Sequence, residues 1–204
     1  FLNSLERQKD KNFIFFNISL VNLDINHANI VIIDNNLNTI ERFDPYGVMD
    51  YNDTDNLDKF LENKINKILQ DKKGIKYKYL RPKDFLRVNS FQSLSRHEDI
   101  NNQNTGDVAG FCLAWCFWYL ENRINNPNIK QKILVSKLEK KLLSNKTKII
   151  DYIRSYANKL NLGKIKILKE FRISHSEYYK VYPGLKKLFD LYELIFNKIK
   201  MLKK

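Results

Sequence analysis

His27-Ala-Asn-Ile-Val-Ile-Ile-Asp-Asn-Asn-Leu-Asn-Thr-Ile-Glu-Arg-Phe-Asp-Pro-Tyr-Gly47 is the stretch that decides the fold. Asn29 to Asp34 is an apolar, β-branched run and reads as a buried strand. Asn35-Asn36-Leu37-Asn38 supplies turn chemistry, because Asn tolerates positive φ. Thr39 to Phe43 then returns as a second strand. Asp44-Pro45-Tyr46-Gly47 ends the hairpin, since Pro lacks the ladder donor and Gly permits a sharp turn. His27 precedes the first strand and Asp44 follows the second. An antiparallel hairpin brings these two positions to the same end.

Upstream, Phe13 to Leu23 is aromatic, β-branched and partly alternating, and reads as another strand. Downstream, Asp53 or Thr54 caps a helix running to about Asp71, with Leu57, Phe60, Leu61, Ile65, Ile68 and Leu69 at helical spacing. Lys72-Lys73-Gly74 stops it. Ile75 to Leu80 alternates as a strand, and Val88 to Leu94 is a further candidate strand. Residues 95–108 are polar and aperiodic, as in an exposed loop. Phe111 to Ile124 is a strongly apolar helix, predicted to be buried and to end near Asn125-Asn126-Pro127. Helical patterns follow at about 129–143, 146–160 and 185–202, and no internal repeat is visible. Strands, helix, strands, helices in this order argue an α+β fold.

The 204 residues suit one domain or a domain with an appendage, and 43% hydrophobic residues rule out wholesale disorder. The net charge of +13 is unevenly spread. Residues 1–129 hold 16 basic and 17 acidic residues, whereas 130–204 hold 20 basic and 6 acidic ones. The expected organisation is a core over 1–129 and a basic helical extension over 130–204. The extension points to an anionic partner, with nucleic acid as one class, or to the Lys-rich bias of the whole chain. No apolar run reaches the roughly 20 residues of a membrane span. No basic stretch followed by an apolar run and a cleavage site opens the chain, so no signal peptide is expected. Two cysteines cannot make a disulfide framework and suit a reducing compartment. Together with three scattered histidines they do not supply a zinc ligand set, and six glycines form no phosphate loop. Neither metal nor cofactor is expected.

Cys112 sits where the polar loop meets the apolar helix. A helix N-terminus lowers a thiol's pKa through its dipole and free N–H groups. Cys116, one turn further in, reads as packing. A cysteine nucleophile needs a base and a group that orients the base. Of His27, His97 and His175, only His27 has a hairpin behind it and a carboxylate, Asp44, returning beside it. Glu41 is the alternative acid, but alternation puts it on the face of Phe43, away from the strand end. Trp115 and Trp118 read as core. Tyr178, Tyr179 and Tyr182 among Lys180, Lys186 and Lys187 have the basic–aromatic interleaving that can stack on nucleic acid.

His27-Ala-Asn, Glu41-Arg-Phe-Asp-Pro-Tyr-Gly47 and Gly110-Phe-Cys-Leu-Ala-Trp115 together resemble the adenain and ubiquitin-like-protein protease superfamily of cysteine peptidases. The version here is most similar to those of large DNA viruses. The resemblance covers roughly residues 13–127. It implies a central mixed β-sheet packed on a buried helix that carries the nucleophile, with additional helices C-terminal. It also implies Cys112 as nucleophile, His27 as general base and acid, Asp44 as the orienting acid, and a Gln as oxyanion donor. The family places that Gln about six residues before the Cys, where this chain has Gly106. Gln92, at the end of a candidate strand, is preferred, and Gln103 in the loop is the alternative. Ala28 stands where cellular members carry Trp. The implied activity is a peptidase or isopeptidase cleaving after small residues, at Gly-type sites, on a viral polyprotein or a ubiquitin-like conjugate. The alternatives are a nucleic-acid-binding module without catalysis and an acetyltransferase of related fold.

Overall fold

A computed structural model describes residues 12–22, 25–48, 54–96, 111–170, 172 and 174. The order is β1 (Phe13–Asn22), β2 (Ile25–Asp34), β3 (Thr39–Phe43), α1 (Thr54–Lys73), β4 (Lys78–Leu80), α2 (Pro82–Phe85), α3 (Phe91–Arg96), α4 (Cys112–Asn125), α5 (Gln131–Leu143) and α6 (Ile149–Glu170). Contacts divide the chain into two units, Phe1–Tyr156 and Ala157–Lys204. The sheet and the site described below lie in the first.

The fold is α+β. The four strands lie in the order β1-β2-β3-β4. β1, β2 and β3 pair antiparallel, and β4 joins β3 in parallel, so the sheet is mixed. The hairpin forms, but β2 begins at Ile25, so His27 lies inside the strand opposite Leu20 of β1 and not before it. Asp34 Oδ1 accepts the N–H groups of Asn36 (2.9 Å) and Leu37 (3.1 Å), and Asn38 takes φ 50°. The parallel joint of β4 follows from its connection, because a chain that leaves β3 and returns through a helix arrives in the same direction.

Alternation sends neighbouring residues of β2 and β3 to opposite faces. Val31, Ile33 and Ile40 join Leu61, Ile65 and Leu69 of α1 in one core. On the other face Phe43 stacks on Tyr119 of α4, with ring centroids 4.1 Å apart and planes within 4°. Trp115 and Trp118 meet edge to face at 5.1 Å, and Phe91 packs against both. Each such pair adds about 0.5–1.5 kcal/mol beyond the area it buries. These rings give α4 its buried position. α1 ends where its sequence predicts, at Gly74, with φ 66° and its N–H on the Gln70 carbonyl at 2.8 Å.

Three further expectations are corrected. The strand at 75–80 is reduced to Lys78–Leu80, which faces Thr39–Glu41. The candidate strand at 88–94 is instead a connection leading into helix α3, so Gln92 lies in a helix. Its backbone is claimed by another partner. The N–H groups of Ser90 and Gln92 donate to the carbonyls of Tyr46 and Pro45, both at 3.0 Å, while Phe91 is buried completely. The helix at 146–160 runs on to Glu170, because Gly163 inside it costs about 1 kcal/mol and does not stop it. His97, Gln103, His175, Tyr178, Tyr179, Tyr182 and the helix at 185–202 lie outside the described residues. No helix among the described residues is long and apolar enough to cross a membrane.

Candidate functional site

The end of the β2–β3 hairpin meets the first turn of α4. His27 Nε2 hydrogen-bonds Asp44 Oδ1 at 2.7 Å, and both residues are buried. The His27 ring stands close enough to the Cys112 thiol for each to shift the other's titration. The Ala28 N–H donates to Cys112 Sγ at 3.4 Å. Cys112 is the first residue of α4, where Phe111 supplies no capping side chain. N–H groups at such a helix start are left without an intrahelical partner.

The charges follow from these contacts. Burial pushes the His27 imidazole down, but the bond to Asp44 and the contact with Cys112 outweigh it and raise its pKa to about 9. Burial pushes the Cys112 thiol up, but the His27 hydrogen bond and the N–H groups of Ala28 and Leu113 outweigh it and bring the thiol below its ordinary value. Both shifts favour the thiolate–imidazolium form of the pair over the neutral one. Cys116 differs: it is fully buried, its Sγ–H donates to the Ala28 carbonyl at 3.4 Å, and burial raises its pKa well above the ordinary thiol.

The turn after β3 fixes the acid. Asp44 Oδ1 accepts the Tyr46 N–H at 2.9 Å, and the Tyr46 ring lies 4.8 Å from that of His27. Gly47 has φ 95°, and a Cβ there would stand 2.2 Å from the Arg87 carbonyl oxygen. Val48 donates its N–H to that same carbonyl at 2.9 Å. The turn is thus clamped to the segment leading into α3, which places Gln92, itself buried, against the turn that follows Asp44.

The structure brings His27, Asp44 and Cys112 into contact and leaves Glu41 elsewhere. Glu41 lies on the opposite face, 3.2 Å from Arg123 Nε. Trp115 and Trp118 are core. Sequence reasoning overlooked the ion pair behind the site. Arg42 reaches Asp58 of α1 twice, at 2.7 and 3.0 Å, and lies 3.6 Å from Asp44 Oδ2. Asn29 and Arg42 stand in the quoted motifs, but Asp58 is one of several acids on a helix whose spacing does not mark it. Among the described residues no group of three or more His, Cys, Asp or Glu side chains is placed to hold a metal. Chemically, a thiolate beside an imidazolium can attack an electrophilic carbon and pass a proton to the group that leaves.

No family model matches the chain. The chain is similar to an ankyrin repeat protein of Acanthamoeba polyphaga mimivirus, 34% identical over 155 residues. The match takes in 72% of this chain and 20% of that relative, so the chain spans about a fifth of the relative's length. A match over that share of the chain includes its middle, and with it α4 and Cys112. This finding corrects the expected function. The relative's name gives a repeat architecture, of the kind that builds protein-binding surfaces, and not a peptidase. Cleavage at Gly-type sites, the polyprotein or ubiquitin-like substrate, the two alternatives to it and the description of the chain as a protease or hydrolase all give way to it. The viral character of the resemblance agrees with the relative's source.

Proposed function

We propose that this chain is a cysteine enzyme module of a longer protein, in which Cys112 attacks a carbonyl carbon on a protein partner. The observation that supports this reading is the imidazole of His27, bonded to Asp44 and standing next to Ala28, whose N–H donates to the Cys112 sulfur at the head of a buried helix. In the proposed reaction the thiolate adds to the carbonyl carbon. N–H groups at the start of α4 stabilise the oxyanion. His27 then gives its proton to the leaving group as the C–X bond breaks and a thioester remains on Cys112. Asp44 keeps the imidazole oriented and stabilises its charged form. Gln92, whose backbone N–H donates to the Pro45 carbonyl in the turn after Asp44, is the residue to test as a further oxyanion donor. The order His27, Asp44, Cys112, on which the resemblance to the adenain superfamily rests, supports the same assignment.

The relative's name supports a division of labour. Ankyrin repeats are β-turn and helix-pair units that bind partners through stacked surfaces. The described residues here form a four-stranded sheet with flanking helices, a different architecture. In such a protein the repeats select the partner and this module carries the thiol. The same name favours a second reading, a protein-interaction segment in which Cys112 forms no covalent bond.

One experiment separates them. Incubation with 4-nitrophenyl acetate is expected to release a burst of nitrophenolate and to add one acetyl group to Cys112, seen by intact mass. Cys112→Ser is expected to show neither. Wild-type protein that takes up no acyl group, and whose Cys112 reacts with iodoacetamide no faster than Cys116, would leave only the interaction reading.

A further inference from the structure

We propose that Arg42, held by Asp58, is a positioning residue that fixes the Asp44 carboxylate against His27. The inference rests on the thiol reading above. Arg42 is nearly fully buried in β3, beside Asp44 in sequence, and its guanidinium spends two N–H groups on the two oxygens of Asp58. A third goes to Asn29 Oδ1. Tyr79 of β4 donates its hydroxyl to Asp58 Oδ1 at 2.9 Å, closing the cluster from the sheet edge. Asp44 Oδ2 lies 3.6 Å from Arg42 Nη1, while Oδ1 takes His27 and the Tyr46 N–H. Each oxygen of the acid therefore has its own neighbour, and the carboxylate cannot turn without losing one of them.

The charge balance matters as much as the geometry. A lone guanidinium beside Asp44 would compete with the imidazolium for its negative charge. Asp58 neutralises that guanidinium with a bidentate pair, the strongest geometry open to it. Arg42 thus restrains Asp44 without drawing its charge away from His27. Among the described residues the Asp44–His27 pair is faced by Arg42 from β3, Tyr46 from the turn, and Cys112 and Cys116 from α4, while Asp58 from α1 and Tyr79 from β4 stand behind it on Arg42 and on each other. Asp55 and Lys83, paired at 2.8 Å, line the cleft beside them.

The test reads the pH midpoint of Cys112 alkylation by iodoacetamide in Cys116→Ala protein. Arg42→Met with Asp58→Leu removes the clamp without leaving an unpaired buried charge, an exchange that folds tolerate well. Its midpoint is expected to rise, with about tenfold slower alkylation at pH 6, the change that one pH unit of thiolate population produces. In an Asp44→Asn background the same double change is expected to cost nothing further, because Arg42 acts through Asp44. A wild-type midpoint in the clamp-deleted protein overturns the proposal, as does an equal additional loss in the Asp44→Asn background, which marks general loosening. Arg42→Lys keeps the charge but not the fork. It is expected to fall between wild type and the clamp-deleted protein, and it serves if the latter does not fold; a wild-type midpoint there also overturns the proposal. Failure of the thiol reading looks different, since Cys112 would then alkylate like an ordinary thiol in the wild-type protein itself.

Discussion

Two buried arginines, one on each face of the same sheet, hold two carboxylates each, yet their surroundings differ. Arg42 sits between Asp58 and Asp44, and Asp44 passes the interaction on to His27 and Cys112. Arg123 sits between Asp34 at 2.8 Å and Glu41 at 3.2 Å, and its Nη1 donates to the carbonyls of Asn126 and Pro127. The Phe13 ring lies 5.4 Å from its Cζ. The second cluster bonds the β2–β3 hairpin to the end of α4 and leads to no nucleophile. The first ends in a titrating pair. Buried charge alone therefore does not mark the proposed site; what distinguishes the two clusters is that only the first runs through a carboxylate to an imidazole beside a thiol.

That difference can be broken most severely at Arg123. Arg123→Met leaves Asp34 and Glu41 buried without their cation, and should cost about 3–5 kcal/mol in urea unfolding. The iodoacetamide rate of Cys112 in the remaining folded protein should not change. A smaller effect is expected from Glu41. Burial, and the negative charge of Asp34, push its carboxyl up to about 7 against the pull of Arg123. The folded state then keeps a proton that the unfolded chain has released, so stability should fall as pH rises from about 4.5 to about 7, by roughly 3 kcal/mol. Glu41→Gln should flatten that slope in unfolding measured across the range. On the other face, Gly47→Ala places a Cβ at positive φ against the Arg87 carbonyl. It should cost about 2 kcal/mol, and it should also slow Cys112 alkylation because it displaces the turn that holds Asp44.

The two clusters were not equally legible. Alternation and Asn-rich turn chemistry predict the hairpin from 29 to 43, and the hairpin alone returns Asp44 to His27. The apolar periodicity of Phe111 to Ile124 predicts α4 and puts Cys112 at its head. Arg123, by contrast, reads in sequence as the polar end of an apolar helix. Its carboxylates come from β2 and β3, some 80 residues earlier, and only tertiary packing reveals them. Arg42 and Asp58 pose the same problem across a strand and a helix. Val88 to Leu94 misleads for another reason. Its apolar residues fit a strand, but the carbonyls of Pro45 and Tyr46 claim its N–H groups and Phe91 fills the gap between Phe43 and Trp115.

The rate of Cys112 alkylation against pH, in wild type and in His27→Ala, decides whether His27 holds Cys112 as a thiolate. In the folded protein the imidazolium persists until pH rises through about 9, and the favourable pairing is lost above that. Wild-type Cys112 should therefore alkylate with a midpoint below that of a free thiol, and His27→Ala, left with burial alone, should move the midpoint above it. Identical midpoints in the two proteins would mean that His27 does not set the charge of Cys112.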